Sequence, residues 1–305
     1  MNERKIIKTL GELNTPLDKL LVIPSYHKGN LLPRFKNTFM YLDKGITFPI
    51  LLFLQDKQDV EQYSWVREDV IFWCPEEPEL VDIAKVRWYI VEMCKVANVS
   101  VLWMLDDDQR FAWRSLPDSP TKYEQLNDAQ SPGLKSTAGT SSLFLSDFFN
   151  KAEEELDLAD VAVVGMPARF GSMNIKANQY NRRLICVYGI DVDKLKSKDL
   201  NFDPFQVLME DFDFSCAIAY AHYRTVLIAD WVRDGRENAY DEGGCNSYRT
   251  DKPELMAEMC ERLRKHYPRV VTPFFDERCA YAKGGTMQCR IDWKTLSAIA
   301  DMGSL

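Results

Sequence analysis

An apolar run leads directly into three acids at Val101-Leu-Trp-Met-Leu-Asp-Asp-Asp108. Its first five residues, Val101–Leu105, are apolar, as is typical of a strand buried on both faces of a parallel sheet. Three carboxylates follow directly, and their mutual repulsion is unfavourable unless a cation compensates it. The abrupt step from apolar to acidic residues predicts a strand whose carboxyl end faces a cation. The alternative is a solvated acidic turn.

Strands and helices alternate before this stretch. The predicted strands are Lys19–Pro24, which Pro24 ends, Pro49–Leu54, Val70–Cys74 and Val99–Leu105. The segments with helical spacing are Leu31–Tyr41, Asp56–Trp65 and Pro78–Ala97. This alternation predicts an α/β fold with a Rossmann-type mixed sheet and right-handed crossovers.

The second half has longer polar segments. Residues 115–142 and 234–250 are predicted as loops because Ser, Thr, Gly, Asn and Asp are frequent there. The predicted regular elements are helix Leu143–Leu156, strands Val161–Gly165 and Leu184–Ile190, helix Phe214–Tyr223, strand Thr225–Asp230 and helix Glu254–His266, with the remainder irregular. We expect a single domain over 1–305, with a nucleotide-binding half at 19–110 and an acceptor half at 111–305.

Composition narrows the class of protein. The chain has 305 residues and a net charge of −8, which argues against a strongly basic nucleic-acid coat protein but not against one local basic patch. No apolar run approaches the length of about 20 residues that spans a bilayer, so we expect no membrane association. The eight cysteines form no CxxC pair. This spacing predicts reduced thiols, no structural zinc and a cytoplasmic location.

Two motifs are predicted to share one rim of the sheet. Ligands of such sheets bind beyond the carboxyl ends of the strands, which places segment 24–30 beside Asp106–Asp108. Mg²⁺ and Mn²⁺ prefer oxygen ligands and commonly take one or two carboxylates plus phosphate oxygens. In an extended backbone Asp106 and Asp108 point to the same side, so Asp107 should point away. We therefore predict a divalent metal held by Asp106 and Asp108.

A second acidic segment lies at Met209–Phe214, where Glu210, Asp211 and Asp213 alternate with apolar residues before a helix. A catalytic interpretation needs one carboxylate that takes a proton from an acceptor hydroxyl. The alternative is helix capping, because carboxylates at a helix N-terminus are favoured by the helix dipole.

The order of these motifs over 19–230 resembles the GT-A glycosyltransferases. The matching features are Ile-Pro-Ser-Tyr at 23–26, Arg87 on the helix before the acidic strand, Asp-Asp-Asp at 106–108 and Glu-Asp at 210–211. The resemblance implies a GT-A-like fold and transfer of a hexosyl or pentosyl group from a nucleotide-diphosphate sugar, with a UDP-sugar as the expected donor.

A closer resemblance is to the TET/JBP-associated glycosyltransferases, the group of base J glucosyltransferase and phage enzymes that act on hydroxymethylated DNA bases. It is carried by Leu102–Arg110 and by Gly-Gly-Cys-Asn at 243–246. It implies that 5-hydroxymethylated pyrimidine in phage DNA is the acceptor, and that the enzyme works in the host cytoplasm.

The resemblance also implies roles for individual residues. A nucleotide pocket would be lined by Pro24, Ser25 and Tyr26, with Arg87 near the nucleotide or its phosphates. Asp106 and Asp108 would form the Asp-x-Asp pair, Asp106 also facing the donor and Asp108 binding Mn²⁺ or Mg²⁺ directly. The base of an inverting transfer would be Glu210 or Asp211.

Many GT-A enzymes complete the metal shell with a late histidine, for which His222 and His266 are the candidates. His222 falls within an apolar predicted helix and is interpreted as a core histidine. His266 ends a predicted helix, where the dipole favours its charge. Neither is predicted as a ligand.

A polar and basic segment at 169–183 is the candidate contact for the acceptor. Arg169, Lys176, Arg182 and Arg183 bracket amides and an aromatic ring at 174–181, a mixture suited to phosphates and base edges. The alternative is a solvated polar loop. Three other functions stay open: transfer to a glycan or protein, metal-dependent nucleotidyl or phosphoryl transfer, and nucleotide binding without catalysis.

Overall fold

The computed structural model describes residues 5–34, 37–76, 80, 82–114, 123–125, 143–168, 177–235, 253–277 and 285–302. Most of the two predicted loops at 115–142 and 234–250 lies outside the described residues. The Gly-Gly-Cys-Asn segment at 243–246 lies outside them as well.

The described strands are β1 (Ile6–Ile7), β2 (Lys19–Ser25), β3 (Ile50–Leu54), β4 (Ile71–Trp73), β5 (Val101–Leu105), β6 (Gln109–Arg114), β7 (Tyr123–Gln125), β8 (Val161–Gly165), β9 (Gln179–Tyr180), β10 (Val187–Asp191), β11 (Arg224–Leu227), β12 (Trp231–Gly235), β13 (Val271–Asp276) and β14 (Thr286–Ile291). The described α-helices are α1 (Ile83–Ala97), α2 (Leu145–Leu156), α3 (Val192–Ser197), α4 (Glu210–Tyr220), α5 (Pro253–His266) and α6 (Trp293–Asp301). Within the described ranges, no helix is both long enough and apolar enough to cross a bilayer.

The main sheet has the strand order β1-β4-β3-β2-β5-β10-β8-β11-β9. Strands β1 to β5 are parallel, and β10 runs antiparallel to both of its neighbours. From β2 the chain moves outward to β3 and β4, and then returns to place β5 on the other side of β2. This reversal is a topological switch point, where α/β sheets form a crevice beyond the strand ends. The predicted mixed α/β sheet of strand–helix repeats is confirmed.

Strand β5 lies in the middle of the sheet, and both of its faces are covered. Trp103 and Leu105 belong to the core on one face, where the Trp103 ring lies 4.4 Å from that of Phe149 in α2. Leu102 and Met104 belong to the core on the other face, together with residues of α1. All four β5 side chains are fully buried. The acidic run therefore begins at the end of a strand that is fixed on both sides.

Two segments predicted as helices form shorter turns. Segment 31–41 contains 3₁₀ turns at Leu32–Arg34 and Thr38–Tyr41, and segment 56–65 contains one at Lys57–Tyr63. The side chains of Asn37 and Asp56 accept hydrogen bonds from backbone amides two residues later, and such local bonds favour tight turns over continued helix. Pro24 also differs from prediction, since it lies inside β2 instead of ending it.

The prediction that the chain after His266 is irregular is wrong. Strands β13 and β14 form an antiparallel hairpin, and α6 follows. These elements form a third core cluster with α4 and α5. The hairpin was missed because Pro273 interrupts its first strand and because much of that strand is exposed, which leaves little apolar alternation.

Gly189 of β10 allows β10 to pack closely against β5. A Cβ atom at this position would collide with the Trp103 ring and would lie 2.7 Å from Val164 Cγ2. We expect Gly189→Ala to lower the free energy of unfolding by about 1–3 kcal/mol, measured by urea denaturation. The control is Gly11→Ala, whose added Cβ would meet nothing closer than 3.8 Å. Equal stability of the two variants would contradict this packing.

Candidate active site

The loop after β2 meets the acidic run after β5. The Ser25 hydroxyl donates a hydrogen bond to the Asp107 carboxylate, although 82 positions separate the two residues. The Tyr63 hydroxyl lies 2.5 Å from Ser25 Oγ and accepts a bond from the Lys28 backbone amide. The predicted convergence of these motifs on one rim is confirmed.

Asp107 is the buried member of the acidic run, with 4% of its side chain exposed. Burial raises the pKa of its carboxyl to about 6, an effect that the Lys28 ammonium opposes. Lys28 Nζ lies 3.1 Å from Asp107 Oδ1 and 3.3 Å from Asp108 Oδ2. Burial alone would lower the pKa of Lys28, but Asp107 and Asp108 outweigh it and raise that pKa. An internal cation thus compensates part of the acidic charge.

Asp106 and Asp108 are the members that face outward. Their side chains are 25% and 27% exposed. Asp108 Oδ1 accepts a bond of 2.6 Å from Gln109 Nε2, and Gln109 Oε1 in turn accepts from the buried Arg233 at 3.2 Å. Arg233 lies in β12, which pairs with β6. The small sheet beside the rim therefore orients Asp108.

Arg87 joins the acidic run to the second acidic segment. Its Nη2 donates to Asp106 Oδ1 at 2.7 Å, and its Nη1 donates to Glu210 Oε1 at 2.6 Å. The guanidinium is 3% exposed and lies 5.0 Å from the centre of the Tyr188 ring. Burial of Asp106 would raise its pKa, but Arg87 holds that pKa below its usual value. The predicted contact of Arg87 with nucleotide stays a prediction, since both terminal nitrogens bind carboxylates here.

Glu210 and Asp211 are buried and paired with arginines. Burial raises the pKa of Glu210 to about 7, against the attraction of Arg87. Asp211 Oδ2 accepts a bond of 2.5 Å from Arg183 Nε, and the Arg183 guanidinium lies 4.0 Å from the Phe212 ring centre. Both acids lie in the first turn of α4, where the helix dipole favours carboxylates. Asp211 Oδ1 also accepts a bond of 3.0 Å from the Phe212 amide, so the alternative of helix capping stays open.

The three residues predicted to line the nucleotide pocket differ in solvent exposure. Pro24 and Ser25 are buried in β2, whereas Tyr26 is 51% exposed. The Tyr26 ring lies 3.9 Å from that of His27. Tyr26 is therefore the member of this trio whose side chain is open to a ligand.

The predicted basic segment is only partly described, because Arg169, Asn174 and Lys176 lie outside the described residues. Asn178 donates to Glu155 Oε1, and Arg183 pairs with Asp211, so both side chains have partners inside the protein. The proposed contact of this segment with phosphates and base edges stays a prediction, as does the alternative of a solvated polar loop.

The two late histidines lie in different surroundings. His222 follows α4 instead of lying within it, and it is exposed, which corrects its interpretation as a core histidine. Its Nδ1 lies 3.0 Å from the Ile299 carbonyl oxygen. His266, at the end of α5, has ligand-type atoms of Asp203 and Asp213 within 4.8 Å. This group is a second place where a metal ion could bind.

The carboxylates of Asp106 and Asp108 fit a hard divalent cation, which takes one or two carboxylates and fills its remaining positions with water or phosphate. The Lys28 ammonium lies 3.3 Å from Asp108 Oδ2, so it would compete with a metal ion for that carboxylate. Sequence reasoning missed Lys28, Gln109 and Arg233. Only Lys28 carried a signal, as the cation of the loop that follows β2.

No protein-family model and no curated protein matches this chain. Solved structures are similar to this chain only at low sequence identity and low TM-score. Staphylococcus aureus TarS 1–349 in complex with UDP-GlcNAc matches with a TM-score of 0.48 and 13% identity, covering 81% of this chain and 67% of that one. The chain spans 66% of the TarS 1–349 chain in a further structure.

Two other structures match at similar levels. Glucosyl-3-phosphoglycerate synthase from Mycobacterium tuberculosis, with Mn²⁺, UDP and phosphoglyceric acid, has a TM-score of 0.41 and 12% identity, covering 94% of this chain and 95% of that one. GalNAc-T7 with UDP, GalNAc and Mn²⁺ has a TM-score of 0.39 and 12% identity, covering 94% and 55%. Likenesses at this level assign no activity to the chain.

Replacing Arg87 tests the charge pairing of the site. We expect Arg87→Met to lower the free energy of unfolding by about 3–5 kcal/mol, because it leaves the buried Glu210 carboxylate without its cation. Adding Glu210→Gln should recover part of that loss. The control Lys151→Met breaks an exposed pair with Glu154 and should cost less than about 1 kcal/mol. Equal effects of Arg87→Met and Lys151→Met in chemical denaturation would contradict the pairing.

Proposed function

We propose that this protein is a metal-dependent glycosyltransferase that transfers a hexosyl or pentosyl group from a nucleotide-diphosphate sugar, most simply a UDP-sugar, to a hydroxyl acceptor. One observation carries the proposal. Asp106 and Asp108 present two partly exposed carboxylates at the carboxyl end of β5, beside the switch point between β2 and β5. Crevices at such points bind ligands, and paired carboxylates there suit a metal–diphosphate complex.

The rim also offers groups for the donor itself. Tyr26 is exposed and directly follows Ser25, which bonds Asp107, so its ring can stack on a planar base. Lys28 places an ammonium 3.3 Å from Asp108, where it can also contact a phosphate oxygen. When bound, the metal neutralises diphosphate charge and so improves the leaving group. The protein contributes a fixed cradle, because Arg87 and Gln109 orient the two carboxylates.

We favour Glu210 over Asp211 as the base of an inverting transfer. Its raised pKa of about 7 suits a group that accepts a proton near neutral pH. Its carboxylate is joined to Asp106 through one guanidinium, which keeps it near the proposed metal site. Asp211 instead pairs with Arg183, at 2.5 Å. The Glu210 side chain is only 10% exposed and is bonded to Arg87. To accept a proton from the acceptor, Glu210 would have to be released by Arg87 when substrate binds.

The acceptor is proposed from the sequence resemblance of Leu102–Arg110 and residues 243–246 to the TET/JBP-associated group. On that basis it is a 5-hydroxymethylated pyrimidine in DNA. A base inside a duplex would have to be flipped outward or approached through a groove. A glycan or protein hydroxyl is the alternative acceptor.

The test is to incubate the protein and Mn²⁺ with a panel of nucleotide sugars and DNA containing hydroxymethylcytosine, and to measure the masses of the digested nucleosides. We expect a hexose or pentose mass increment that depends on the metal. Asp108→Asn should remove it, while the exposed Asp193→Asn in α3 should retain it. Full activity of Asp108→Asn would contradict the metal assignment.

The released product separates the remaining alternatives. Glycosyl transfer releases a nucleoside diphosphate, whereas nucleotidyl transfer releases pyrophosphate. Transfer to simple saccharides but not to DNA would move the acceptor to a glycan. Nucleotide binding by calorimetry without any turnover would instead indicate a binding module.

A further inference from the structure

A second group of metal-type side chains lies in the C-terminal part of the fold. Asp203 precedes α4, Asp213 lies in its first turns, and His266 ends α5. One ligand-type atom from each residue lies within 4.8 Å of the other two. Two carboxylate oxygens and one imidazole nitrogen are thus brought together from three separate parts of the chain.

Asp213 has a buried carboxylate oxygen, Oδ1, without a hydrogen bond from the described residues. Its side chain is 4% exposed. The His266 Nδ1 atom faces it at 3.7 Å, which is longer than a hydrogen bond. Burial raises the pKa of Asp213 to about 6, Asp203 adds to the effect, and His266 opposes it. A buried carboxylate oxygen without a donor is unfavourable, so this position calls for a cation.

The other two members are oriented for binding. Asp203 Oδ2 accepts bonds from Arg262 Nε at 3.0 Å and Nη2 at 2.6 Å, and its Oδ1 accepts from the Phe205 amide at 2.9 Å. These bonds fix the group. The two bonds from Arg262 use both lone pairs of Oδ2, whereas Oδ1 accepts one bond and keeps one lone pair for a ligand. Such supporting bonds are usual around protein metal sites. The His266 side chain is 41% exposed, which gives a cation access from solvent.

We propose that Asp203, Asp213 and His266 form a binding site for a transition-metal dication such as Zn²⁺ or Mn²⁺, separate from the Asp106–Asp108 rim. One imidazole nitrogen and two carboxylate oxygens match the ligand preferences of these ions, with water completing the shell. Binding at about 2.0–2.2 Å draws the three atoms closer than they stand here, and the exposed His266 ring supplies that movement. The ion ties α4 to α5 and relieves the buried charge of Asp213.

The test uses a protein in which the rim site is disabled, the double variant Asp106→Asn and Asp108→Asn. Zn²⁺ and Mn²⁺ are titrated into it by isothermal calorimetry, and the imidazole signals of the three histidines are followed by NMR during Zn²⁺ addition. We expect one ion per chain and a shift of the His266 signals. Melting temperature should rise with metal concentration, as it does for any ligand that binds only the folded state.

Single changes in that background assign the ligands. His266→Gln and Asp213→Asn should each weaken binding on the order of 100-fold, since loss of even outer-shell partners costs about 10–100-fold. His222→Gln is the matched control and should leave affinity unchanged. Because His266 is exposed, its variant keeps the test valid where Asp213→Asn fails to fold.

The opposite results would overturn the proposal. They are no binding in the double variant, or binding that His266→Gln and Asp213→Asn leave intact. Either result would reduce the group to an ion pair between His266 and Asp213. The proposal does not rest on glycosyltransferase activity, so a protein without transfer activity could still confirm it.

Discussion

The bond of Arg87 to both Asp106 and Glu210 is the interaction on which the rest of the site depends. A buried carboxylate needs a cation, and a buried arginine needs acceptors for its fork of donors. Arg87 belongs to α1, Asp106 follows β5, and Glu210 begins α4, so this one side chain fixes three elements against each other. The two halves of the chain are therefore joined at the carboxyl end of the central strand.

The same rule organises the neighbouring acids. Lys28 pairs with Asp107 and Asp108, and Arg183 pairs with Asp211, each cation coming from a different segment than its partner. Asp106 and Asp108 are left with partly exposed oxygens, where an external cation and a diphosphate can add to the network. At Asp213 the facing side chain is His266, whose Nδ1 lies 3.7 Å from Oδ1, and that oxygen has no hydrogen bond within the described part of the chain. The candidate second metal site follows from that difference.

Much of the fold could be predicted from local pattern, because buried strands such as Val101–Leu105 and Val161–Gly165 are short, apolar and sharply bounded. The convergence of Ser25 and Asp107 followed from the rule that ligands bind beyond strand ends. The pairing of Arg87 with Glu210 could not be predicted, since 123 positions separate them and only tertiary packing brings them together. The hairpin after His266 was missed for a different reason: its strands pack mainly against the C-terminal helices and show little alternation.

Anomalous diffraction from crystals grown with Mn²⁺ and UDP would locate the metal and the diphosphate relative to Asp106 and Asp108. We expect a manganese peak bound by Asp108, close to Asp106, with the diphosphate on its open side and Lys28 displaced toward a phosphate oxygen. Arg87 should still contact Asp106 in that state. A nucleotide bound elsewhere on the sheet, or manganese found only beside Asp203, Asp213 and His266, would contradict this arrangement.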